Sequence, residues 1–210
     1  MSKLPILLIG AGGHARACID VIEMEGRFTV QGLVGLQDQV GTQVLGYPVI
    51  GTDDDLQSLR KQQSHALVTV GQIKSPEYRI RLFSLLMSYA FEAPVIVSPR
   101  AHVSRHAAVA RGTIVMHGAI VNAGATVGEN CILNSLSLVE HDATIGDHCH
   151  VSTAAAINSG VHIAAGTFVG SNSSVRQGIR IGERCVIGMG QRVLRNCEPG
   201  TQLPPVVRRA

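Results

Sequence analysis

The stretch VMHGAIVNAGATVGENCILNSLSLVEHDATIGDHCHVSTAAAI, residues 115–157, carries an aliphatic residue at every sixth position. The same phase continues in both directions, so that every sixth residue from Val97 to Val193 is Val, Ile or Leu, in seventeen positions without an insertion. A short period sustained over this length is typical of solenoid proteins, in which each repeat buries its apolar side chain against its neighbours. The repeat therefore predicts an all-β solenoid for the second half of the chain.

Two further columns of the repeat predict how such a solenoid would pack. Two positions before the aliphatic residue, thirteen of sixteen sites from 101 to 191 hold Ala, Cys, Ser or Thr, as expected inside a narrow prism. Cys131, Cys149 and Cys185 belong to this column, and we expect them to be small packing residues. Three positions after the aliphatic residue, nine of sixteen sites are Gly or Asn, which adopt positive φ at a corner. Three such faces would close one triangular coil of eighteen residues.

The first half of the chain instead alternates strand-like and helix-like segments. Apolar runs predict three strands, and helical spacing together with N-cap residues predicts three helices. The strands are predicted at 6–10, 29–35 and 66–71, and the helices at 15–23, from Thr52 onward, and over 75–90. This order predicts a small parallel α/β domain, about half of a full dinucleotide-binding fold. We expect an α/β domain over residues 1–92 and a β-helix domain with a C-terminal tail over residues 93–210.

The composition argues against several classes of protein. A hydrophobic content of 45% supports a buried core, but only 3% of the residues are aromatic. The net charge of +3 comes from scattered basic residues, which does not favour nucleic-acid binding. Five cysteines without a CxxC spacing argue against a disulfide framework or a zinc ribbon and favour a reducing cytoplasm. The apolar N-terminal segment PILLIGAGG, residues 5–13, is too short and too rich in glycine to be a signal peptide or a membrane span.

The segment GAGGHA, residues 10–15, lies between a predicted strand and a predicted helix. Bare glycine backbone at a helix N-terminus binds phosphate oxygens well. Gly10, Gly12 and Ala15 fit the pattern G-x-G-x-x-A, so NAD binding is one alternative. That alternative needs an acidic residue at the end of the second strand, where Asp38 is the first acid and comes late, and a larger sheet than these residues provide.

The glycine loop GAGGHAR (10–16), the segment VGQIKS (70–75) and the hexapeptide repeat together resemble one family of sugar acyltransferases. This is the sialic acid O-acetyltransferase and bacillosamine-pathway N-acetyltransferase family, whose repeats form a left-handed parallel β-helix. The resemblance implies that the N-terminal domain holds a nucleotide-activated sugar, that acetyl-CoA lies along the β-helix, and that a homotrimer builds the donor site between neighbouring β-helices. The acceptor contacts that it implies are Gly10, Gly12, Gly13, His14, Asp38, Gly71 and Asn134.

The segment VEHDATIGD, residues 139–147, matches the motif that carries the catalytic histidine in that family. Acyl transfer from a thioester needs a base that takes the proton of the attacking group. The resemblance implies that His141 is this base and that Asp142 orients its imidazole. It also places several residues against the acetyl donor, with the first of them near the thioester: His150, Ser152, Gly170, Ser171, Gly188 and Met189.

A zinc site formed by His141, His148 and His150 is an alternative use of the same segment, but a spacing of seven and two residues is not a known ligand spacing. We therefore expect no metal. The remaining histidines of the repeats occupy non-aliphatic positions, which are commonly polar on the outside of a β-helix: His102, His106, His117 and His162.

The sequence thus predicts a cytoplasmic, acetyl-CoA-dependent acetyltransferase without membrane insertion or nucleic-acid partner. Its expected acceptor is a nucleotide-activated sugar of bacterial surface-glycan biosynthesis. Acetylation of an amine is favoured because an amine is the better nucleophile, and the combination of a nucleotide-binding domain with a donor site suits a UDP-4-amino sugar. Two alternatives remain. One is O-acetylation of a sialic-acid-like sugar, and the other is a non-catalytic β-helix scaffold that assembles partner proteins.

Overall fold

The computed structural model describes residues 3–206, so the end of the predicted C-terminal tail lies outside the described residues. The chain divides into two compact units. The N-terminal unit comprises the chain up to Gly71 together with Glu77–Pro99. The C-terminal unit comprises the chain from Arg100 onward together with the short segment Gln72–Pro76, which we call the strap.

The N-terminal unit alternates strands and helices, and its Rossmann-like half-domain character is as predicted. Its elements are β1 (Leu4–Ile9), α1 (Gly13–Glu25), β2 (Phe28–Val34), β3 (Gln43–Val44), β4 (Tyr47–Gly51), α2 (Leu56–Leu59), β5 (His65–Val68), α3 (Glu77–Ser88) and β6 (Ile96–Val97). The sheet order is β3-β4-β2-β1-β5. All neighbours run parallel except β3 and β4. The carboxyl ends of β1, β2, β4 and β5 therefore meet at one edge, where such folds bind ligands.

The hairpin β3–β4 was absent from the sequence prediction. Its two-residue turn places Leu45 and Gly46 at φ of 49° and 84°, the backbone of a tight hairpin turn. The helix predicted from Thr52 is also shorter than expected. A 3₁₀ turn over Asp53–Asp55 precedes α2, and the Thr52 N–H donates to Asp55 Oδ2 at 2.8 Å. The hairpin adds a parallel strand beside β2, so the chain after β4 returns to the ligand-binding edge of the sheet.

The C-terminal unit is the predicted left-handed parallel β-helix. Two-residue strands follow one another every six residues from β7 to β22: β7 (His102–Val103), β8 (Ala108–Val109), β9 (Ile114–Val115), β10 (Ile120–Val121), β11 (Thr126–Val127), β12 (Ile132–Leu133), β13 (Leu138–Val139), β14 (Thr144–Ile145), β15 (His150–Val151), β16 (Ala156–Ile157), β17 (His162–Ile163), β18 (Phe168–Val169), β19 (Ser174–Val175), β20 (Arg180–Ile181), β21 (Val186–Ile187) and β22 (Arg192–Val193). The last strand, β23 (Gln202–Leu203), lies outside this spacing.

These strands form three faces. The first face stacks β7, β10, β13, β16, β19 and β22, the second stacks β8, β11, β14, β17 and β20, and the third stacks β9, β12, β15, β18, β21 and β23. Along each face up to β22 a residue pairs with the residue eighteen positions away, as Ile132 does with His150 and His150 with Phe168. One coil is therefore eighteen residues, as predicted. The terminal strand β23 pairs with β21 in a shorter register, as Val186 does with Gln202.

The interior of the β-helix contains the two predicted inward columns. Every aliphatic residue of the repeat from Val115 to Val193 is at most 3% exposed. The small column does more than fill space, because most of its hydroxyl and thiol groups donate to carbonyl oxygens of the next coil. Thr113 Oγ1 donates to the Gly128 carbonyl at 2.8 Å, and Cys131 Sγ donates to the Gly146 carbonyl at 3.1 Å. These bonds satisfy polar groups that would otherwise be costly to bury.

The corners of the prism have positive φ, as the sequence predicted for Gly and Asn. The structure extends this conformation to every sixth residue from Gly112 to Gly190. Five of these corner residues are neither Gly nor Asn: Leu136, Asp142, His148, Ala154 and Arg184. Left-handed backbone is strained for such residues, so the repeat geometry overrides their local preference.

Ala154 allows this strain to be measured, because its φ is 56° and it carries no functional group. We expect Ala154→Gly to raise the free energy of unfolding by about 1 kcal/mol, since glycine adopts this φ without a Cβ clash. The neighbouring Ala156→Gly, on strand β16, should lower it by about 0.5–1 kcal/mol. Denaturant unfolding of both variants checks the pair, and a loss of stability in Ala154→Gly would contradict the expectation.

Candidate active site

The N-terminal unit has a cavity of about 250 Å³ at the carboxyl edge of its sheet. The predicted contacts of the glycine loop, together with Gly71 at the end of the third predicted strand, all line it: Gly10, Gly12, Gly13, His14 and Gly71. Gly10 has φ of 121°, and a Cβ there would lie 3.0 Å from the Val70 nitrogen, so only glycine fits this turn. Gly12 is the N-cap of α1, and a Cβ at Gly12 or Gly13 would have no other atom within 4 Å. The first turn of α1 thus presents open backbone to the cavity.

Among the predicted acceptor contacts of the N-terminal unit, Asp38 is the one that does not line this cavity. It is exposed in the 3₁₀ turn Gln37–Gln39. The neighbouring Gln39 and the later Asp53 line the cavity instead. Asp53 follows β4, the strand that the sequence prediction missed, and its Oδ2 lies 2.6 Å from an Arg81 nitrogen. The carboxylate at this edge therefore comes from a different strand than the sequence suggested.

The C-terminal unit has a larger cavity of about 920 Å³, over the outer surface of the third face. Every residue predicted to contact the acetyl donor lines it: His150, Ser152, Gly170, Ser171, Gly188 and Met189. Asn134, predicted as an acceptor contact, lines the same cavity. Sequence reasoning missed the other walls, which are Ile73 and Lys74 from the strap, Phe168, Val186 and the segment 202–205. The structure brings these residues together, and their role as donor contacts stays a prediction.

A hydrogen-bonded chain crosses the deep end of this cavity. His150 is 6% exposed, and its Nδ1 donates to the Gln72 carbonyl at 2.6 Å. Its Nε2 lies 3.3 Å from Asn134 Nδ2, and the Ser135 N–H donates to Asn134 Oδ1 at 2.8 Å. The imidazole also packs edge-on against the Phe168 ring, with 5.2 Å between centroids. The polar residues at this end are thus held in fixed orientations.

His141 and Asp142 form the predicted pair at a different place on the β-helix. His141 Nδ1 lies 2.8 Å from Asp142 Oδ2, at the corner that follows β13. The carboxylate of Asp142 raises the pKa of His141 above its usual value, chiefly through this hydrogen bond. The side chain of His141 is 59% exposed, and neither residue lines the larger cavity. The pair is therefore available to solvent and to ligands on the surface of a single chain.

Two neighbours that sequence reasoning missed support this pair. A Cβ on Gly124, one coil earlier, would collide with Asp142 Oδ1, so the glycine leaves room for the carboxylate. Glu140 Oε2 accepts from the His141 backbone N–H at 3.1 Å and from Asn122 Nδ2 at 3.0 Å. These contacts fix the backbone at the corner from which His141 projects.

The three histidines of the alternative zinc site have separate partners. His141 faces Asp142, His148 contacts Asn130 at 3.0 Å, and His150 contacts Gln72. Among residues 3–206, no three His, Cys, Asp or Glu side chains are grouped so that they could hold a metal ion.

A substitution at Gly188 would show whether the cavity wall formed by residues 202–205 matters for binding. A Cβ there would lie 2.5 Å from the Pro204 carbonyl carbon and 2.7 Å from the Leu203 oxygen, so the wall must move. We expect Gly188→Ala to raise the KM for acetyl-CoA about tenfold, which corresponds to about 1.4 kcal/mol of binding energy. Gly146→Ala is the control, because its Cβ would lie 2.8 Å from the Ala165 nitrogen, away from the cavity lining. It should lower Tm without changing that KM, and equal KM values for both variants would contradict the assignment.

Comparisons with known proteins agree with both units. Residues 5–84 match the family described as the PglD N-terminal domain, and residues 160–194 match the hexapeptide repeat of succinyl-transferase. No curated protein sequence matches the chain. Within the part of the chain that the structure describes, we find no helix with the length and apolar character that a membrane crossing requires.

Solved structures match over nearly the whole chain. A histidine variant of perosamine N-acetyltransferase from Caulobacter crescentus, bound to CoA and GDP-perosamine, is 30% identical with a TM-score of 0.89, and the match covers 96% of this chain and 93% of that one. The acetyltransferase domain of PglB from Neisseria gonorrhoeae, bound to acetyl coenzyme A, is 28% identical with a TM-score of 0.87, covering 96% of each chain. WeeI from Acinetobacter baumannii shares the fold at 20% identity, with a TM-score of 0.83 and coverage of 96% and 97%.

Proposed function

Because the chain belongs to the family of hexapeptide-repeat sugar acetyltransferases, and is thus an acyltransferase that uses acetyl-CoA, we propose that it acetylates the amino group of a nucleotide-activated sugar. The observation that carries the proposal is the larger cavity, where every residue predicted to contact the acetyl donor lies along one face of the β-helix. The smaller cavity, with open backbone at the start of α1, suits the phosphates of the nucleotide. The GDP-perosamine bound by the Caulobacter relative also supports a nucleotide-linked acceptor.

The proposed reaction is direct transfer from the thioester. The amine nitrogen attacks the thioester carbonyl carbon while His141 removes the amine proton, directly or through a water molecule. The carbon–sulfur bond then breaks, and the CoA thiolate leaves and takes up a proton. Asp142 holds the imidazole by its Nδ1–H, which leaves Nε2 as the atom that accepts the proton.

We further propose that a homotrimer completes this site. His141 stands at the corner after the first face, whereas the larger cavity lies over the third face of the same chain. A base that is 59% exposed and outside the donor cavity needs a neighbouring copy to bring the two together. A mass measurement in solution checks this point, and a monomer at working concentration would contradict it.

The proposed setting is the cytoplasm and the biosynthesis of bacterial surface glycans. All five cysteines lie within residues 3–206, and none of them forms a disulfide, which suits a reducing compartment.

The test is an assay of CoA release by the purified protein with acetyl-CoA and a panel of acceptors. The panel contains UDP-linked and GDP-linked 4-amino sugars and a free sialic-acid-like sugar. Release with a nucleotide-linked amino sugar, giving a product stable to mild base, supports the proposal. A base-labile product would instead indicate an O-acetyltransferase, and no release with any acceptor of the panel would contradict the proposed acceptor.

A further inference from the structure

The strap, Gln72–Pro76, is tied to the β-helix beside the larger cavity. Gln72 is 3% exposed, and its Nε2 donates to the Gly166 carbonyl at 3.1 Å. Its own carbonyl accepts the Nδ1–H of His150 at 2.6 Å. A Cβ on Gly166 would lie 3.1 Å from Pro76 Cγ, so this corner of the β-helix also packs against the far end of the strap. A segment from the first half of the chain thereby becomes part of the cavity.

These contacts determine the protonation state of His150. A carbonyl oxygen only accepts, so Nδ1 must carry a proton. The Ser135 N–H can only donate, so the side-chain oxygen of Asn134, Oδ1, must face Ser135. The amide nitrogen Nδ2 of Asn134 therefore faces His150. Nδ2 is a donor, so His150 Nε2 must have a free electron pair. The ring is therefore neutral, with its proton on Nδ1.

We propose that Gln72 is a positioning residue that acts through His150 on Asn134. The carbonyl of Gln72 in the strap stabilises the tautomer of His150 that carries its proton on Nδ1. In this tautomer, Nε2 accepts a hydrogen bond from one amide hydrogen of Asn134. The second amide hydrogen of Asn134, which lines the larger cavity, then donates to the thioester carbonyl oxygen of acetyl-CoA, instead of to the acceptor sugar as the sequence resemblance implied. The role of the cavity in this inference rests on the proposed function. His150 transfers no proton in this arrangement, since both of its nitrogens are engaged, and the base remains His141.

The Gln72 side chain is suited to a clean test. Within the described residues its Oε1 is buried without a hydrogen-bond partner, which is costly. Gln72→Met keeps the length of the side chain and removes both this unpaired oxygen and the bond to Gly166. We therefore expect the variant to fold normally while the strap loses its anchor. Gln63→Met is the matched control, because Gln63 Oε1 is also buried without a partner but lies in the N-terminal unit.

The experiment combines ¹⁵N NMR of histidine-labelled protein with steady-state kinetics, and His150→Asn identifies the His150 signals. In the unmodified protein we expect His150 as the Nδ1–H tautomer without any substrate. In Gln72→Met we expect a mixture of tautomers and a kcat lowered about tenfold, with the KM for acetyl-CoA changed much less, because the lost interaction matters most in the transition state. Gln63→Met should change neither signal nor rate.

An Nε2–H tautomer in the unmodified protein would overturn the inference, as would a Gln72→Met variant that keeps the tautomer, or one that loses it without losing kcat. The tautomer is measured without turnover. If no acceptor is acetylated, the proposed function and with it the catalytic part of this inference fail, while the NMR result still decides whether the strap sets the state of His150.

Discussion

Replacing His141 with alanine is expected to lower kcat by about 10²–10⁴, the usual contribution of a positioned general base. The affinity for acetyl-CoA should change little, because a general base acts in the transition state rather than in binding the donor. The side chain is 59% exposed, so its removal should leave Tm unchanged. His162→Ala is the control, since His162 is another exposed histidine of the β-helix and lies on the second face.

The pH dependence of kcat/KM gives a second, independent test of His141. The base acts only when its imidazole is neutral, so activity should fall as the pH drops through the pKa of His141. Asp142 raises that pKa, mainly through its hydrogen bond to Nδ1. Asp142→Asn removes the carboxylate that raises the pKa of His141, so the acidic side of the profile of kcat/KM against pH should move to lower pH. The maximal rate should also fall. A His141→Ala variant with near-normal turnover, or an acidic limb that stays in place in Asp142→Asn, would exclude His141 as the base.

Replacing Ile163 with aspartate is expected to prevent folding of the β-helix. Ile163 is fully buried in the aliphatic column of β17, with neighbouring coils on both sides. A carboxylate there has no partner, and the expected loss of stability exceeds about 4 kcal/mol. His162→Asp is the matched control, because His162 precedes it on the same strand and is exposed.

Circular dichroism and the yield of soluble protein distinguish the two variants. Ile163→Asp should give no cooperative thermal transition near that of the unmodified protein, whereas His162→Asp should keep it. If both variants unfolded at the same temperature, the inward orientation of the aliphatic column would be wrong.

The β-helix was predictable because a single period determines its strands, faces and corners together. The residue pairs eighteen positions apart follow from the aliphatic spacing alone. The corner residues that are neither Gly nor Asn, such as Leu136 and Ala154, were not predicted, because their local preference is against positive φ. The stacking of neighbouring coils stabilises these residues at positive φ, and the sequence of a single hexapeptide does not show this stabilisation.

The N-terminal unit shows where local patterns fail. Strands β3 and β4 are short, and only the turn at Leu45 and Gly46 marks them. The sequence prediction named Asp38 because it is the first acid after the second predicted strand, whereas the carboxylate that lines the cavity is Asp53, which follows the unpredicted strand β4. A strand inserted between two predicted ones changes which loop reaches the cavity.

The candidate site was predictable only in part, and for different reasons. The residues of the glycine loop and the predicted donor contacts were identified by their resemblance to family motifs, and the structure gathers them in two cavities. The contact between Gln72 and His150 joins residues 78 positions apart, and neither residue carries a local signal for the other. Such pairings depend on the assembled fold.

The eighteen-residue coil also limits how this protein can change in length during evolution. Removing one hexapeptide would turn all later residues by a third of a revolution, so that the outward side chains of β15, β18 and β21 would point in a new direction. Removing a complete coil would only shift them along the axis and keep their direction. Insertions and deletions that preserve function should therefore come in multiples of three hexapeptides, or be confined to loops that bulge from a corner.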